Sequence, residues 1–553
     1  MKRSIWYEDA VFYGMDIRRF QDSNGDGIGD IRGLISRLDY LTDLGITALW
    51  LLPFQDTPLQ DNGYDVRDYY QVDPRVGTLD DFIELVQETK KRDIHLVMDL
   101  VMNHTSKEHP WFEASRRDPH SRYRNYYVWT EEIPEDDQYS GEPVFPGEED
   151  SVWTYDPVAK AYYYHRFYHF QPDMRTSNPM VQEEIFRALD FWLALGVDGF
   201  RIDAAPLMVE PKGLESTVIE DPFKLFRELH HHAVSRKPDV VLLGEANVPM
   251  DDMDKFFGGG SMMNMLFNFL LGPHILLSFA RENAQPIHTY LEDLLEPPEN
   301  DQWLNFIRNH DEMTLEIMPE EQRQVIYEHF APKEEQRIYD RGLRERITPI
   351  LSGEGKPMHR EKLEMAFSLL FSTPGTPIFM YGDEIGMGSD LSLPGRFPVR
   401  TPMQWSDEKN AGFSTADDLI APVIDEGPFS YKAINVEHQK ADANSFWHFM
   451  KQMIAERKDA PEVGLCPVNL LEPEKRDPRL LIHYFMPVQD SPRQNPLVFI
   501  HNVSPDTVSG VIDHEVISQD EAKVRLGRGK LVRAEKAKME VELPPYGYLW
   551  IQE

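Results

Sequence analysis

Three carboxylates stand where apolar, strand-like runs end. Gly196-Val-Asp-Gly-Phe-Arg-Ile-Asp203 breaks a helix-period segment at Gly196 and runs through Gly199–Ile202 onto Asp203. Val240-Val-Leu-Leu-Gly-Glu245 ends on Glu245, and Trp303–Ile307 leads into Asn309-His310-Asp311-Glu312. A carboxylate at the C-terminal tip of a buried parallel strand is where barrel enzymes keep their chemistry. Arg201, two residues before Asp203, points to the same side of its strand and can hold that acid ionised. Burial behind an apolar run should raise the pKa of Glu245, as a general acid requires. Each acid alone would read as a helix cap or a loop acid. Three at the same ends of strands four, five and seven predict paired-carboxyl cleavage of a glycosidic bond.

Other residues cluster at the same strand ends. In Asp61-Asn-Gly-Tyr64-Asp65, Asp61 can accept hydrogen bonds from sugar hydroxyls and Tyr64 offers a flat apolar face, although Asn-Gly alone marks only a turn. In Asp99-Leu-Val-Met-Asn103-His104, Asp99 reads as structural, and His104 is either a satisfied structural residue or a donor to a bound hydroxyl. Nearer the N-terminus, Asp22-Ser-Asn24-Gly-Asp26-Gly-Ile28-Gly-Asp30 alternates oxygen donors with small residues. Three carboxylates and an amide on a glycine-kinked loop suit a hard cation, Ca2+ or alternatively Mg2+. Gly33 stands where an EF-hand needs its closing Glu, so the cage is of another kind. The competing reading is a solvated turn.

The elements that must position these groups are strand-like runs alternating with amphipathic helix patterns: Val11–Ile17, Ala48–Pro53, His95–Val101, Gly199–Asp203, Val240–Glu245, Leu266–Leu271, Trp303–Ile307 and Pro377–Tyr381. Eight such strands predict an α/β fold, a (β/α)8 TIM barrel over residues 1–104 and 179–463. The rhythm fails over 105–178, an aromatic and charged stretch expected to form a domain inserted after strand three. It fails again over 312–358, a charged stretch expected to form a helical lid after strand seven. From about residue 464 the pattern turns to short strands, Leu480–Met486, Leu497–Val503 and Tyr546–Ile551, predicting a C-terminal antiparallel β-sandwich to residue 553.

With 57 basic against 94 acidic residues in 553, the formal charge is −37. That disfavours nucleic-acid and anionic-membrane partners and suits a small neutral substrate. Cys466 is the only cysteine, so no intrachain disulfide can form, which fits a reducing, cytoplasmic setting. The first residues lack the apolar run of a signal peptide, and no run reaches the roughly 18 residues of a membrane helix. No organic cofactor is expected, and a homo-oligomer is compatible with the composition.

Taken in order, Asp99…Asn103-His104, Gly199-Phe-Arg-Ile-Asp203, Glu245 and Asn309-His310-Asp311 resemble the motif regions of the α-amylase superfamily of glycoside hydrolases. The likeness is closer to its trehalose synthase branch, through Trp6–Tyr13, Ser115–Pro119, Trp153–Pro157, Arg400-Thr-Pro-Met-Gln-Trp-Ser406 and Asn410–Ser414. Thr314–Glu316, Phe330–Pro332 and Gly342–Arg346 resemble the lid that separates that branch from α-glucosidases. The resemblance implies Asp203 as nucleophile, Glu245 as general acid/base and Asp311 as the residue gripping sugar hydroxyls. It implies Tyr64 beneath a single glucose, Asp61 and Arg400 at its far edge, and His104, Arg201 and His310 around it. It adds the Ile28 carbonyl to the first cation site, and a second site of Asn103, Asp173 and Glu210 with the carbonyls of Leu207 and Met208.

The implied reaction is retaining glucosyl transfer that interconverts maltose and trehalose within one pocket, with side hydrolysis. The alternatives are an α-glucosidase or transglucosylase on another small α-glucoside such as sucrose, and a catalytically silent carbohydrate-binding protein. Departures from the branch pattern gather on the leaving-group side: Met174-Arg175 for Leu-Asn, Ala205 for Val, Leu207 for an aromatic, Val248-Pro249 for Gln-Trp and Phe397-Pro398 for Asp-Gly. Lost polar partners weaken discrimination among acceptors and leave the cleaving groups in place.

Overall fold

Each of the eight strand-like runs contributes one strand to a single closed barrel. They are β1 (Phe12–Met15), β2 (Ala48–Leu51), β3 (His95–Leu100), β4 (Gly199–Ile202), β5 (Val241–Gly244), β6 (Met265–Asn268), β7 (Gln302–Asn305) and β8 (Thr376–Met380). Neighbours follow chain order and β8 closes on β1, every pair parallel. Parallel strands buried on both faces read as continuous apolar runs, which is why the sequence marks them. The computed structural model describes residues 5–133, 141–212, 221–472, 476–487, 495–513, 522–533 and 538–552.

Helices α1 (Ile31–Leu44), α2 (Leu79–Lys90), α3 (Pro179–Leu195), α4 (Lys224–Arg236), α5 (Met250–Phe257), α6 (Leu271–Arg281), α7 (Arg360–Ser372) and α8 (Phe446–Lys458) surround the strands. The start of α3 is set by Asn178, whose side chain caps Met180 N–H, with Pro179 at the first helical position. Its end is set by Gly196 in the left-handed region at φ 107°, where a Cβ would meet Lys90 and Val86. That turn delivers the chain into β4 and so fixes Asp203.

Two stretches interrupt the alternation on the C-terminal side of the strands. Between β3 and α3 lie a helix (Pro110–Arg117) and a three-stranded antiparallel sheet of Trp129–Thr130, Ala161–Tyr164 and Trp153–Asp156. Between β7 and α7 lie helices Glu320–Phe330 and Ile347–Ser352, and also a small sheet of Met313–Thr314, Gly342–Leu343 and Arg337–Ile338. The stretch expected to be helical is therefore mixed. Strands of two residues are too short to show a period, and their turn places Tyr339 and Asp340 at positive φ, 55° and 53°.

Beyond α8, a five-stranded and a three-stranded antiparallel sheet pack together. Alternation assigns the faces: Leu480, Ile482, Val498, Ile500, Leu549 and Ile551 fill the space between the sheets. Leu481, Phe485, Phe499 and Trp550 turn the other way and join the main core. Among the described residues, no helix is long and apolar enough to cross a membrane.

Candidate active site

The site is organised by one buried guanidinium. Arg201 on β4 stands directly opposite Asp99 on β3 and donates to it. The same Nη1 donates to Asp203 Oδ1 at 2.8 Å and to the Tyr64 hydroxyl at 3.1 Å. Nη2 pairs with Glu245 Oε1 at 2.7 Å. Asp203 follows β4 immediately and Glu245 follows β5, so the register of these two strands sets the spacing of the acids. Asp99 is further fixed by Trp50 Nε1 at 2.9 Å, the structural role its position suggested.

These acids differ in proton affinity for traceable reasons. Burial pushes Asp203 up to about 6 against the pull of Arg201, with Asp99, Asp311 and Asp61 adding repulsion. Burial likewise lifts Glu245 to about 7, Arg201 opposing it and Asp203 and Asp311 reinforcing it. Asp311 is driven the other way. Burial would raise it, but Arg396, His310 and Arg400 hold it well below the usual carboxylate range. A pair of carboxyls poised near neutrality beside one held ionised is the pattern of acid, base and electrostatic anchor.

The remaining expected residues gather around these three. Arg400 reaches Asp311 Oδ1 at 2.6 Å and the His310 carbonyl at 3.0 Å. His310 Nε2 lies 3.0 Å from Asp311 Oδ2 and 2.9 Å from the Tyr64 hydroxyl, the two rings stacked. Asp61 accepts from Gln171 Nε2 at 3.0 Å. His104 approaches Asn103 Nδ2 through Nδ1 at 3.3 Å, and its buried Nε2 has no hydrogen-bond partner among the described residues. With Nδ1 accepting, Nε2 carries the proton and is free to donate into the cavity that His104 lines.

That cavity is about 870 Å³ and holds Asp61, Tyr64, Asp203, Glu245 and Asp311 in its wall. Phe145 and Phe167 of the first insertion, and Glu312, Tyr327, Tyr339 and Arg341 of the second, complete it. The insertions touch each other. Arg341 Nη2 donates to the Val144 carbonyl at 2.8 Å, and the Tyr339 and Phe145 rings lie 5.3 Å apart.

Sequence reading did not anticipate Arg396. It pairs with Asp61 Oδ1 at 2.8 Å and with Asp311, and its guanidinium lies 4.4 Å from the Phe145 ring centre. Its one available signal is its place four residues before Arg400, beside the Phe397-Pro398 departure.

The cation loops differ from expectation. In the first, Asp22 accepts Gly25 N–H at 2.7 Å, Gly27 N–H at 2.8 Å and the Ser414 hydroxyl at 2.5 Å. Asn24 and Asp26 each accept the amide two residues on, and Asp30 caps α1 through Gly33 N–H. The donors are all oxygen, as a hard cation demands. In the second, the buried ammonium of Lys212 donates to Asn103 Oδ1 and lies 2.6 Å from Asp173 Oδ2. Glu210 pairs instead with Arg166 at 2.8 Å, and the Met208 carbonyl accepts from Thr176. Asn103, Asp173, Leu207, Met208 and Glu210 therefore do not fit a metal: a lysine supplies the positive charge there. Among the described residues, no three His, Cys, Asp or Glu side chains converge as a metal site would require.

A closed (β/α)8 barrel whose strand tips present two acids on one guanidinium, with a third acid held ionised, defines the class of barrel enzymes that work on sugars through carboxyl groups. The family profile "Alpha amylase, catalytic domain" matches residues 17–330 and 343–464. The chain belongs to the α-amylase family. It is 42% identical to "Trehalose synthase/amylase TreS" of Mycobacterium tuberculosis over 82% of this chain and 76% of that protein. It is 42% identical to the trehalose synthase of Thermus thermophilus over 85% of this chain and 48% of that one. Among solved structures, the trehalulose synthase MutB from Pseudomonas mesoacidophila MX-45, in a complex with its substrate sucrose, superposes with a TM-score of 0.76 at 25% identity, covering 99% of both chains.

Proposed function

We propose that this protein is a retaining glucosyltransferase that interconverts maltose and trehalose within a closed pocket, with hydrolysis as a side reaction. The observation that carries the reading is the sharing of Arg201 between Asp203 and Glu245 beneath two insertions that meet over the cavity. Two carboxyls joined through one guanidinium leave little room for a water between them, which favours double displacement over inversion. The names of the relatives at 42% identity point to the same reaction.

In this reading Asp203 attacks the anomeric carbon while Glu245 protonates the departing glycosidic oxygen, giving a β-glucosyl ester. Glu245, now a carboxylate, takes the proton of the incoming hydroxyl as the ester bond breaks, so the α configuration is restored. Asp311, kept ionised by its three cationic neighbours, accepts sugar hydroxyls. Tyr64 stacks beneath the ring, Asp61 and Arg400 hold its far edge, and the free N–H of His104 donates to a hydroxyl. If glucose stays enclosed and turns over to present its 1-hydroxyl, maltose becomes trehalose; if water enters, two glucoses leave. The meeting of Arg341 with Val144 and of Tyr339 with Phe145 supports retention of that glucose.

The test is incubation with maltose and chromatography of the products. Trehalose in excess of glucose supports the reading. Glucose alone favours an α-glucosidase, and no maltose consumption sinks the reading. The likeness to MutB, together with Leu207 in the cavity wall, supports sucrose as a second substrate in the same assay. We also propose that the Asp22–Asp30 loop, with the Ile28 carbonyl, binds one structural Ca2+. Metal analysis of the purified protein checks it, expecting one equivalent and not two, because Lys212 fills the second position.

A further inference from the structure

Asp61 and Asp311 come from loops after different strands, yet one side chain joins them. Arg396 places Nη2 2.8 Å from Asp61 Oδ1 and Nη1 on Asp311 Oδ1, so its fork spans both acids. The guanidinium is nearly buried and lies flat enough over Phe145, 4.4 Å from the ring centre, to be held from the side of the first insertion as well. The other neighbours of the pair are fixed elsewhere. Arg400 also donates to the His310 carbonyl, His310 to the Tyr64 hydroxyl, and Gln171 reaches only Asp61. Among the described residues, Arg396 alone contacts both acids.

We propose that Arg396 is a positioning residue of the glucose subsite: it sets the separation and orientation of Asp61 and Asp311 before sugar arrives. The inference rests on the reading of this cavity as a glucose subsite. Two carboxylates facing one small space repel each other, and each can turn about its own side-chain bonds. A forked cation that bonds both removes the repulsion and fixes both planes at once. Each bonded oxygen keeps a lone pair, so the acids can still accept hydroxyls from a ring placed between Tyr64 and Asp311. A lysine, whose charge is a point, can neutralise one acid but cannot hold two planes. The stacking on Phe145 adds that displacement of the first insertion would loosen the subsite.

The experiment compares the parent, Arg396→Ala and Arg396→Lys on maltose, with and without added guanidinium ion. We expect Arg396→Ala to lower kcat/KM about 100-fold, the cost of misplacing binding groups by about 1 Å. Guanidinium at millimolar concentration should recover at least tenfold of that loss, while ammonium should not. Arg396→Lys should fall between parent and alanine variant and should not respond to guanidinium, because its own side chain fills the space. A folded alanine variant within threefold of the parent, or a loss indifferent to guanidinium, overturns the inference. If Arg396→Ala does not fold, a lysine variant with parental kcat/KM overturns it and a reduced one supports it. An inactive parent overturns the functional reading itself, which separates the two failures.

Discussion

The barrel mouth and the seam between the barrel and the C-terminal sheets both bury groups that can carry charge, and they treat them in opposite ways. At the mouth, Asp99, Asp203, Glu245, Asp61 and Asp311 share Arg201, Arg396 and Arg400, so charge is retained and paired. At the seam, His483 and His501 stack face to face, 5.5 Å apart, and bond to the Ser372 carbonyl and the Ser368 hydroxyl of α7. Burial pushes His483 down to about 4 and His501 well below its ordinary value, so both are neutral. A seam needs only satisfied hydrogen bonds and packing, and a neutral imidazole provides them. A reaction that develops charge needs groups already charged or poised near neutrality. The difference separates polar groups that hold the fold from those that act.

The largest effect should come from removing the poised charge while leaving its shape. Asp203→Asn keeps volume and a hydrogen-bond acceptor for Arg201, which still pairs with Asp99 and Glu245, so the fold should persist. Turnover of maltose should fall by on the order of 10⁴-fold or more. A contaminant-free variant within tenfold of the parent would falsify the assignment of Asp203 as nucleophile.

The second effect is in pH. Asp203 must be ionised and Glu245 protonated for the first step. Asp203 sits at about 6, so activity should be lost as pH falls through that value. Glu245 sits at about 7, so activity should be lost as pH rises through that one. The two acids interact, so the limbs belong to the pair rather than to either residue. Log kcat/KM against pH should be a narrow bell between about 6 and 7. A flat plateau extending well into the alkaline range would break the link between burial of Glu245 and its acid role.

The contrast also explains what the sequence made legible. The eight strands were readable because burial on both faces leaves uninterrupted apolar runs, and Asp203 and Glu245 because each sits directly after such a run. Asp311 comes six residues after Asn305, through Arg308 and His310, and was placed by its motif rather than by a strand end. Arg396 was not readable: its partners lie 335 and 85 residues away, and no local pattern reports which loops will meet. Lys212 was missed for a related reason. The expected ligands were all present, and only the fold shows a lysine two residues past Glu210 turned back onto Asn103 and Asp173. The mixed character of 312–358 was hidden because its strands are held by a hairpin turn and not by apolar alternation.

The smallest effect sharpens the other half of the comparison. His483 and His501 are neutral in the fold, whereas an unfolded histidine titrates near 6.5. Below that value the unfolded chain binds protons that the folded seam refuses, so stability falls as pH falls, and for His483 the loss continues down to about 4. Each such histidine costs up to about 1.4 kcal/mol per pH unit within its window, which in a chain of this size amounts to a few degrees of Tm. The change His483→Gln removes the titration and keeps an N–H to donate to the Ser372 carbonyl. Its Tm at pH 7.5 should lie slightly below that of the parent because the stack on Phe499 is lost. Between pH 6.5 and 5 its Tm should fall less steeply than the parental one, with maltose turnover at pH 6.5 unchanged. Equal slopes would show that the seam does not set the acid sensitivity. The neutral histidines would then be packing groups alone, and the contrast with the mouth would rest on the carboxylates.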